Sequence, residues 1–418
     1  MNKEFQTSFE DNAEVSSPVI FDLGHDSQGA GPVVKLVNTI INQAVSKKAS
    51  DIHIEPREKN VIIRLRVDGI LRELMTVPKQ IHPSLASRVK IMAQMDIAEK
   101  RLPQDGRIQI YIQDRNIDLR ISTLTTVFGE KIVIRILDKT NMLLHSAQLG
   151  FLDINRRRYQ DIITSAYGMV LVTGPTGSGK TTSLYAALNE LNNFEQNIIT
   201  IEDPVEYILA GVNQIQVNAR IGLDFAAGLR SILRQDPDIV MVGEIRDEET
   251  AKIAVRAATT GHLVLSTLHT NDAAGAVIRL MDMGVEPYLA ASSMAGVIAQ
   301  RLVRSICPHC RTPYWMEADD PARLFMKIPP EEPVQLFKGQ GCSYCDDTGF
   351  KGRQAIQEVL LVTRKLRTLI NGMQKGEELK AAAMAQGMVT LKEDGIAKAL
   401  QGLTTIEEVI RVAYVDES

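Results

Sequence analysis

The apolar run Met169-Val170-Leu171-Val172 leads into Gly174, Pro175, Thr176, Gly177, Ser178, Gly179, Lys180, Thr181 and Thr182, and a helix-forming segment from Ser183 to Leu191 follows. The loop reads G-x-x-x-x-G-K-T in the strand–loop–helix setting that gives the motif its mechanism. Glycines let the backbone curl so that successive N–H groups converge on a phosphate chain at the positive end of the helix. Lys180 would place a point charge on the β- and γ-phosphates, and the Thr181 hydroxyl would be a magnesium ligand. A Gly-rich turn with an incidental lysine is the bland alternative, and strand, spacing and helix together argue against it. The rest of the chain reads as building this site or using it.

At 418 residues the chain has room for two to four domains. Its 44% hydrophobic and 23% charged content is that of an ordinary globular protein. No apolar run approaches the roughly 20 residues needed to span a bilayer, and the polar N-terminus has no signal-peptide core, so a cytoplasmic protein is expected. The formal net charge of −4 argues against a general nucleic-acid coat.

Residues 1–30 hold Lys3 against Glu4, Glu10, Asp11, Glu14, Asp22 and Asp26, and are expected to form a flexible acidic tail. From Pro32, residues Val33, Leu36, Val37, Ile40, Ile41 and Ala44 fall at helical spacing. Strands are predicted at 51–55, 61–67 and 70–76, and Asp68-Gly69 between the last two is a hairpin signal. A helix over 83–98 and strands over 107–113, 117–122 and 130–137 complete an α+β domain spanning 31–138. Residues 51–140 are locally basic, with 16 Lys+Arg against 12 Asp+Glu, and the arginines sit on strands and beside turns. Residues 139–152 read as a linker. A second domain, 153–302, then alternates strands at 169–173, 198–201, 239–242 and 263–267 with helices near 181–192, 224–234, 247–258 and 272–283. Near-continuous apolar strands interleaved with helices indicate a parallel sheet covered on both faces.

Ligands of such sheets lie at the carboxyl ends of the strands. The second predicted strand ends in Glu202-Asp203-Pro204-Val205-Glu206, the third in Gly243-Glu244-Ile245-Arg246-Asp247, the fourth in Leu268-His269-Thr270. Glu244 is placed to hold magnesium directly or through water. Glu202 and Glu206 are both candidates to polarise the attacking water. His269 would contact the γ-phosphate or stand as a hydrogen-bonded strand-end histidine; His262 reads as structural. Phosphoryl transfer also needs positive charge on the developing oxygens. Arg230 and Arg234, four apart before the third strand, would share a helix face, and the first domain offers Arg64, Arg66, Arg120 and Arg135. Arginines in another domain suggest a ring in which each subunit completes its neighbour's site.

Cys307-Pro-His-Cys310 and Cys342-Ser-Tyr-Cys345 are two C-x-x-C knuckles separated by 31 residues. The spacing predicts a four-thiolate zinc module over 303–360, with redox use and an iron–sulfur centre as alternatives. His309 reads as a bystander. A helical region, 361–418, follows, in which Thr404 and Glu407 have capping-box spacing before the last helix.

These residues resemble the secretion ATPases of the GspE/PilB type, which drive type II secretion and type IV pilus assembly. The resemblance runs from about residue 31 to the end of the sequence. It rests on Ser50-Asp-Ile-His-Ile-Glu-Pro56, Arg64-x-Arg-x-Asp-Gly69, Arg101-Leu-Pro-Gln-Asp-Gly-Arg107, Gly129-Glu-Lys131, the P-loop, Thr200-Ile-Glu-Asp-Pro-Val-Glu206, Leu233-Arg-Gln-Asp-Pro-Asp238 with Gly243-Glu-Ile-Arg-Asp247, Gly261-His262 through Thr270, and Cys342-x-x-Cys-x-x-Thr-Gly-Phe-x-Gly-Arg353. It implies a RecA-like ATPase domain in a homohexamer using ATP, Mg2+ and Zn2+, with an inner-membrane platform as partner and no nucleic acid. By the resemblance Glu206 activates the water, Arg120 and Arg135 reach a neighbour's nucleotide, Arg230 and Arg234 serve the subunit boundary, and His269 is the His-box residue.

The family commonly has a further N-terminal docking domain. About 30 residues precede the core here, so the chain is either a piece of a longer one or docks differently. Thr125 and Phe128 stand where the family has proline and histidine, from which a less rigid loop is expected. The alternatives are a nucleic-acid motor built on the same site and a scaffold that does not hydrolyse.

Overall fold

Asp68 and Gly69 both stand at positive φ, 50° and 84°, which the tight turn between Asn60–Val67 and Ile70–Pro78 requires. The structure is a computed structural model; it describes residues 20–22, 31–112, 115–138 and 145–413 and divides into two units, Met1–Asn141 and Met142–Ser418. In the first unit, apolar residues at every second position (Ile52 and Ile54, Val61, Ile63 and Leu65, Ile132 and Ile134) turn one sheet face inward. That face packs on the helices Pro32–Ser46 and His82–Met92. The sheet runs Ile20–Asp22, Gln104–Ile112, Arg115–Thr126, Gly129–Asp138, Asp51–Pro56, Asn60–Val67, Ile70–Pro78, antiparallel throughout except for the first pair.

Three expectations change here. Ile20–Asp22 pairs with Gln109–Tyr111 as a strand, so this part of the expected tail belongs to the sheet; the remainder of residues 1–30, and residues 139–144 of the expected linker, lie outside the described residues. The helix predicted over 83–98 stops at Met92. Gln94 takes φ 55°, and the following loop lies against Gly106, where an added Cβ would stand 2.8 Å from the Ala93 oxygen. The hairpin at Thr125–Phe128 is well held: Thr125 Oγ1 donates to the Lys100 carbonyl at 2.6 Å, Thr126 Oγ1 to that of Gly129 at 2.6 Å, and Lys79 Nζ to that of Phe128.

The second unit is built on a seven-stranded sheet ordered Asn213–Gln216, Ile198–Glu202, Ile239–Val242, Leu263–Leu268, Gly168–Thr173, Met294–Ile306, Phe350–Leu361. All neighbours are parallel except the last pair. Separate hydrophobic clusters cover its two faces, as the continuously apolar strands require. The last two strands were not foreseen, and they redraw the boundaries. The zinc module expected over 303–360 begins inside one of these strands and ends inside the other, so it is an excursion between two paired strands of the same sheet.

The expected helical region is likewise no separate body. Leu366, Ile370, Leu379, Leu391 and Val409 join the same core cluster as Met169, Leu171 and Val264. A buried polar network reinforces the join. Lys398 Nζ lies 2.6 Å from Asp394 Oδ2, both side chains at most 1% exposed, and Asn155 Nδ2 donates to Asp394 Oδ1 at 3.0 Å and to the Gln357 carbonyl at 2.9 Å. Burial disfavours both charges of the pair, and the added hydrogen bonds are what let it persist. The predicted Thr404/Glu407 cap is shifted by one: Thr405 Oγ1 accepts from the Glu408 N–H at 3.4 Å, while Thr404 Oγ1 donates to the Arg304 carbonyl at 2.7 Å.

Glu408 pins the last helix, Ile406–Ala413, to the strand Met294–Ile306. Against burial, which would raise it, hydrogen bonds from Arg411 and Arg304 hold its carboxyl down to about 2 from an ordinary 4.5. A depressed carboxylate stabilises above its unfolded pKa and ceases to as pH falls through its folded value. Wild type should therefore exceed Glu408→Gln in urea-unfolding stability at neutral pH, and the difference should close between pH 4.5 and 2. A difference that persists at pH 2 would contradict this.

Candidate active site and metal centre

The P-loop leaves the strand Gly168–Thr173 at Gly174 and turns through Gly177 and Gly179, with φ of 146°, 80° and 86°. Glycine is required at two of these by contact as well as by φ. A Cβ on Gly174 would stand 2.3 Å from the Gln300 oxygen, and one on Gly179 2.8 Å from Gln300 Nε2. Gln300, on the neighbouring strand, clamps the loop: its Nε2 donates to the Ser178 carbonyl at 2.8 Å and its Oε1 accepts from Ser183 Oγ at 2.9 Å. Lys180 opens the twelve-residue helix Lys180–Leu191, and its Nζ donates to the carbonyls of Gly174 and Pro175 at 2.8 and 3.2 Å. Ser178 Oγ is buried without a hydrogen-bond partner. Pro175, Thr176 and Thr181 are exposed and Thr182 half-buried. A glycine cradle, a helix N-terminus, an unsatisfied hydroxyl and an adjacent ammonium together fit a phosphate chain.

The carboxyl ends of the neighbouring strands bring the expected polar groups to this loop. Glu244, whose side chain is 20% exposed, pairs with Arg246, and His269 Nε2 lies 3.8 Å from its second oxygen. Lys180 belongs to the same electrostatic group: burial lowers its pKa and Glu244 opposes the shift. Partial desolvation also lowers the pKa of the half-exposed His269, aided by Lys180 and Arg246 and opposed by Glu244, which favours the uncharged ring. A neutral imidazole there is a hydrogen-bonding group rather than a cation.

Glu202 falls out of the choice between Glu202 and Glu206. It is 3% exposed and accepts from Tyr185 Oη, from Thr200 Oγ1 at 2.6 Å and from Gln214 Nε2 at 3.1 Å. Its oxygens are committed to the interior. Tyr185 Oη also accepts from the Glu206 N–H at 3.3 Å, so one phenol bridges the buried acid and the backbone of the half-buried one. Asp203 is exposed.

Sequence reasoning missed Gln300 and Tyr185. The signal was a lone amide directly after the apolar run 294–299 and a phenol on the buried face of the P-loop helix, since buried polar groups demand partners.

Arg230 and Arg234 are not gathered at the loop. The helix Phe225–Ile232 ends before Arg234, so the two do not share a helix face as expected. Arg230 pairs with Glu249, and Arg234 donates to the Arg230 carbonyl at 2.9 Å and to Ser231 Oγ at 3.2 Å. In the first unit, strand register sets Arg107, Arg120, Arg135, Asp51 and Arg66 in one row across five strands. Asp51 lies 3.4 Å from Arg135 Nε and 3.5 Å from Arg66 Nε. Like charges on directly opposed positions disfavour one another, and acids offset the row at two points: Arg107 pairs with the buried Asp118 and Arg135 with Asp51.

The four cysteines come together. Their Sγ atoms all lie within 4.8 Å of one another, with 3.9 Å between Cys307 and Cys342, 3.9 Å between Cys310 and Cys345, and 3.7 Å between Cys342 and Cys345. A thiolate tetrahedron with metal–sulfur bonds of about 2.3 Å has edges of about 3.8 Å, so the set suits a single tetrahedral ion. The Cys342 and Gly349 N–H groups each point at Cys345 Sγ at 3.3 Å, which supports a thiolate. His309 stacks on Tyr344 with ring centroids 4.1 Å apart, bridging the knuckles from outside the cluster.

Fold and site define a P-loop ATPase of the RecA-like class. The family model for Type II/IV secretion system proteins matches residues 26–411, and the chain belongs to that family. It is 48% identical over 387 residues to the type II secretion system protein E of Pseudomonas aeruginosa, covering 93% of this chain and 76% of the relative. With the type IV pilus assembly ATPase PilB of Myxococcus xanthus it shares 50% identity over 382 residues, 91% of this chain and 67% of the relative. Among solved structures, the pilus retraction motor PilT with bound ADP matches at a TM-score of 0.58 and 26% identity, over 89% of this chain and 95% of that one. The ATPase DotB of Yersinia pseudotuberculosis, at 18% identity and a TM-score of 0.69 over 93% and 95% of the two chains, shares the fold. The protein is an ATP-hydrolysing enzyme.

Replacing Gln300 with leucine strips the Ser178 carbonyl and Ser183 hydroxyl of their partner, a loss of about 1–3 kcal/mol per buried group. Gln300→Leu should accordingly weaken ATP binding by about tenfold or more, read by titration with a fluorescent nucleotide; unaltered affinity would remove the clamp. Elemental analysis of the purified protein should find one zinc per chain, lost in Cys342→Ser together with a lower thermal midpoint.

Proposed function

We propose that the chain is one subunit of a homohexameric cytoplasmic motor that hydrolyses ATP to power assembly of a type II secretion pseudopilus or a type IV pilus. The carrying observation is the grouping of Lys180, Glu244, Arg246 and His269 over a clamped P-loop in a chain of this family. In this reading Lys180 and the loop N–H groups hold the β- and γ-phosphates. Thr181 and Glu244 would hold Mg2+, which when bound neutralises phosphate charge. Glu206, fixed through Tyr185, takes the proton of the attacking water, and neutral His269 orients the γ-phosphate by hydrogen bonding. Arg120 and Arg135 are the cations supplied to a neighbouring subunit's nucleotide, and Arg230 and Arg234 face the subunit boundary. Zinc in the four-cysteine cluster braces the excursion between the last two strands. Partners are an inner-membrane platform and its docking proteins, through which the ring associates peripherally with the membrane. No helix among the described residues is long and apolar enough to cross a membrane, which fits attachment through such partners.

Mixing two inactive variants tests the shared site. Lys180→Ala and Arg120→Ala should each lack turnover as pure assemblies. Co-assembled, they should regain part of the wild-type rate, because a site made from the intact Lys180 of one chain and the intact Arg120 of the other is complete. Absence of recovery in verified mixed hexamers would place Arg120 at its own chain's nucleotide. Retained turnover in Lys180→Ala would overturn the P-loop assignment itself.

A further inference from the structure

His269 lies in the loop 269–272 between the strand Leu263–Leu268 and the helix Ala273–Asp282. The near end of this loop is tied to the P-loop strand. Thr173 Oγ1 and Thr270 Oγ1 are 2.7 Å apart, and the Thr270 N–H donates to Thr173 Oγ1 at 2.9 Å. The far end is held from the C-terminal part of the chain. Asp272 caps its helix, accepting from the Gly275 N–H at 2.7 Å through Oδ1, while Oδ2 accepts from Lys380 Nζ at 3.0 Å. One residue on, the Ala273 N–H donates to Glu358 Oε1 at 2.9 Å, and Glu358 Oε2 accepts from the Leu391 N–H at 3.4 Å. Glu358 thus joins the first turns of two helices, Ala273–Asp282 and Leu391–Leu400. It is 1% exposed, and a carboxyl in that position carries a desolvation cost that an apolar residue would avoid. Lys380 stands on the helix Gly376–Met384, which packs directly on Ala273–Asp282: a Cβ on Gly376 would touch Ile278 at 3.4 Å.

The Lys380 and Glu358 contacts do not touch the P-loop, whose Ser178 carbonyl and Ser183 hydroxyl are held by Gln300. They act on the segment that sets how His269 stands to Glu244. We propose that Lys380 and Glu358 are positioning residues for hydrolysis: the C-terminal helices set the place of the 269–272 loop, and through it the rate of the chemical step rather than the binding of nucleotide. The proposal rests on the reading of His269 as part of the hydrolytic site. An interaction realised only in the transition state shows in kcat and leaves KM unmoved when it is lost, and a displacement of about 1 Å in such a group can cost about 100-fold.

The experiment uses the full chain and measures kcat and KM for ATP together with the thermal midpoint. Lys380→Ala and Lys380→Met, the second keeping the packed stem, should each lower kcat by about tenfold with KM changed by less than about twofold. Lys380→Arg should restore most of the rate. Glu358→Gln, which still accepts from the Ala273 N–H, should lower kcat less than Glu358→Leu. If Lys380 works through the loop, Lys380→Ala combined with His269→Ala should be no slower than His269→Ala alone, since residues acting as one unit are not additive. A fall in thermal midpoint with kcat unchanged in both Lys380 variants, while His269→Ala is impaired, overturns the positioning role alone. Unchanged kcat in His269→Ala overturns the reading of the site on which the proposal stands.

Discussion

The Gln300 side chain joins the phosphate loop to the rest of the second unit. A loop rich in glycine has many conformations to lose, and three of its residues stand at positive φ. One amide holds it in a single shape by donating to the loop's own carbonyl and accepting from the first turn of the helix that follows. The strand that carries Gln300 also carries Arg301, whose Nη2 reaches the Asn271 side chain at 3.3 Å, and Arg304, which pairs with Glu408 at 2.8 Å. It then runs straight into Cys307. Phosphate loop, His269 loop, last helix and metal cluster are thus all registered by one strand.

That arrangement explains why the C-terminal part of the chain is so polar where it is most buried. Asp394, Lys398, Gln357 and Asn155 form a buried hydrogen-bonded network, and Glu358 sits at two helix N-termini. Hydrophobic contact alone is non-directional and tolerates small slides between packed helices. Hydrogen bonds to particular backbone groups do not. The helices after residue 361 are therefore fixed in register against the sheet, and carry position as well as cover.

Around the nucleotide site the charges divide into committed and available groups. Glu202 and Glu206 are four positions apart, yet the first is spent on three interior hydrogen bonds while the backbone N–H of the second donates to the same tyrosine. His269, whose pKa partial desolvation and Lys180 lower, stands beside a site that already has Lys180 and Arg246 near Glu244. In the first unit, Asp51 lies between Arg135 and Arg66 and pairs with both.

Local chemistry was legible in the residues themselves. Glycines with a lysine between strand and helix, two C-x-x-C pairs, the Asp68-Gly69 turn and alternating isoleucines each have one economical structural meaning, because backbone sterics, thiolate coordination and the two-residue period of strands act over a few positions. What spacing could not supply was every decision made by distant neighbours. Which acid after the strand Ile198–Glu202 is buried depended on Tyr185 and Gln214; where the helix from His82 stops depended on Gly106; whether the cysteine segment forms its own domain depended on two strands pairing across it. Those outcomes are set by packing and by the satisfaction of buried polar groups, which bring together residues tens to hundreds of positions apart. The sequence alone therefore determined that this chain binds a phosphate chain and holds four thiolates, and tertiary structure decided which side chains are left to act on what is bound.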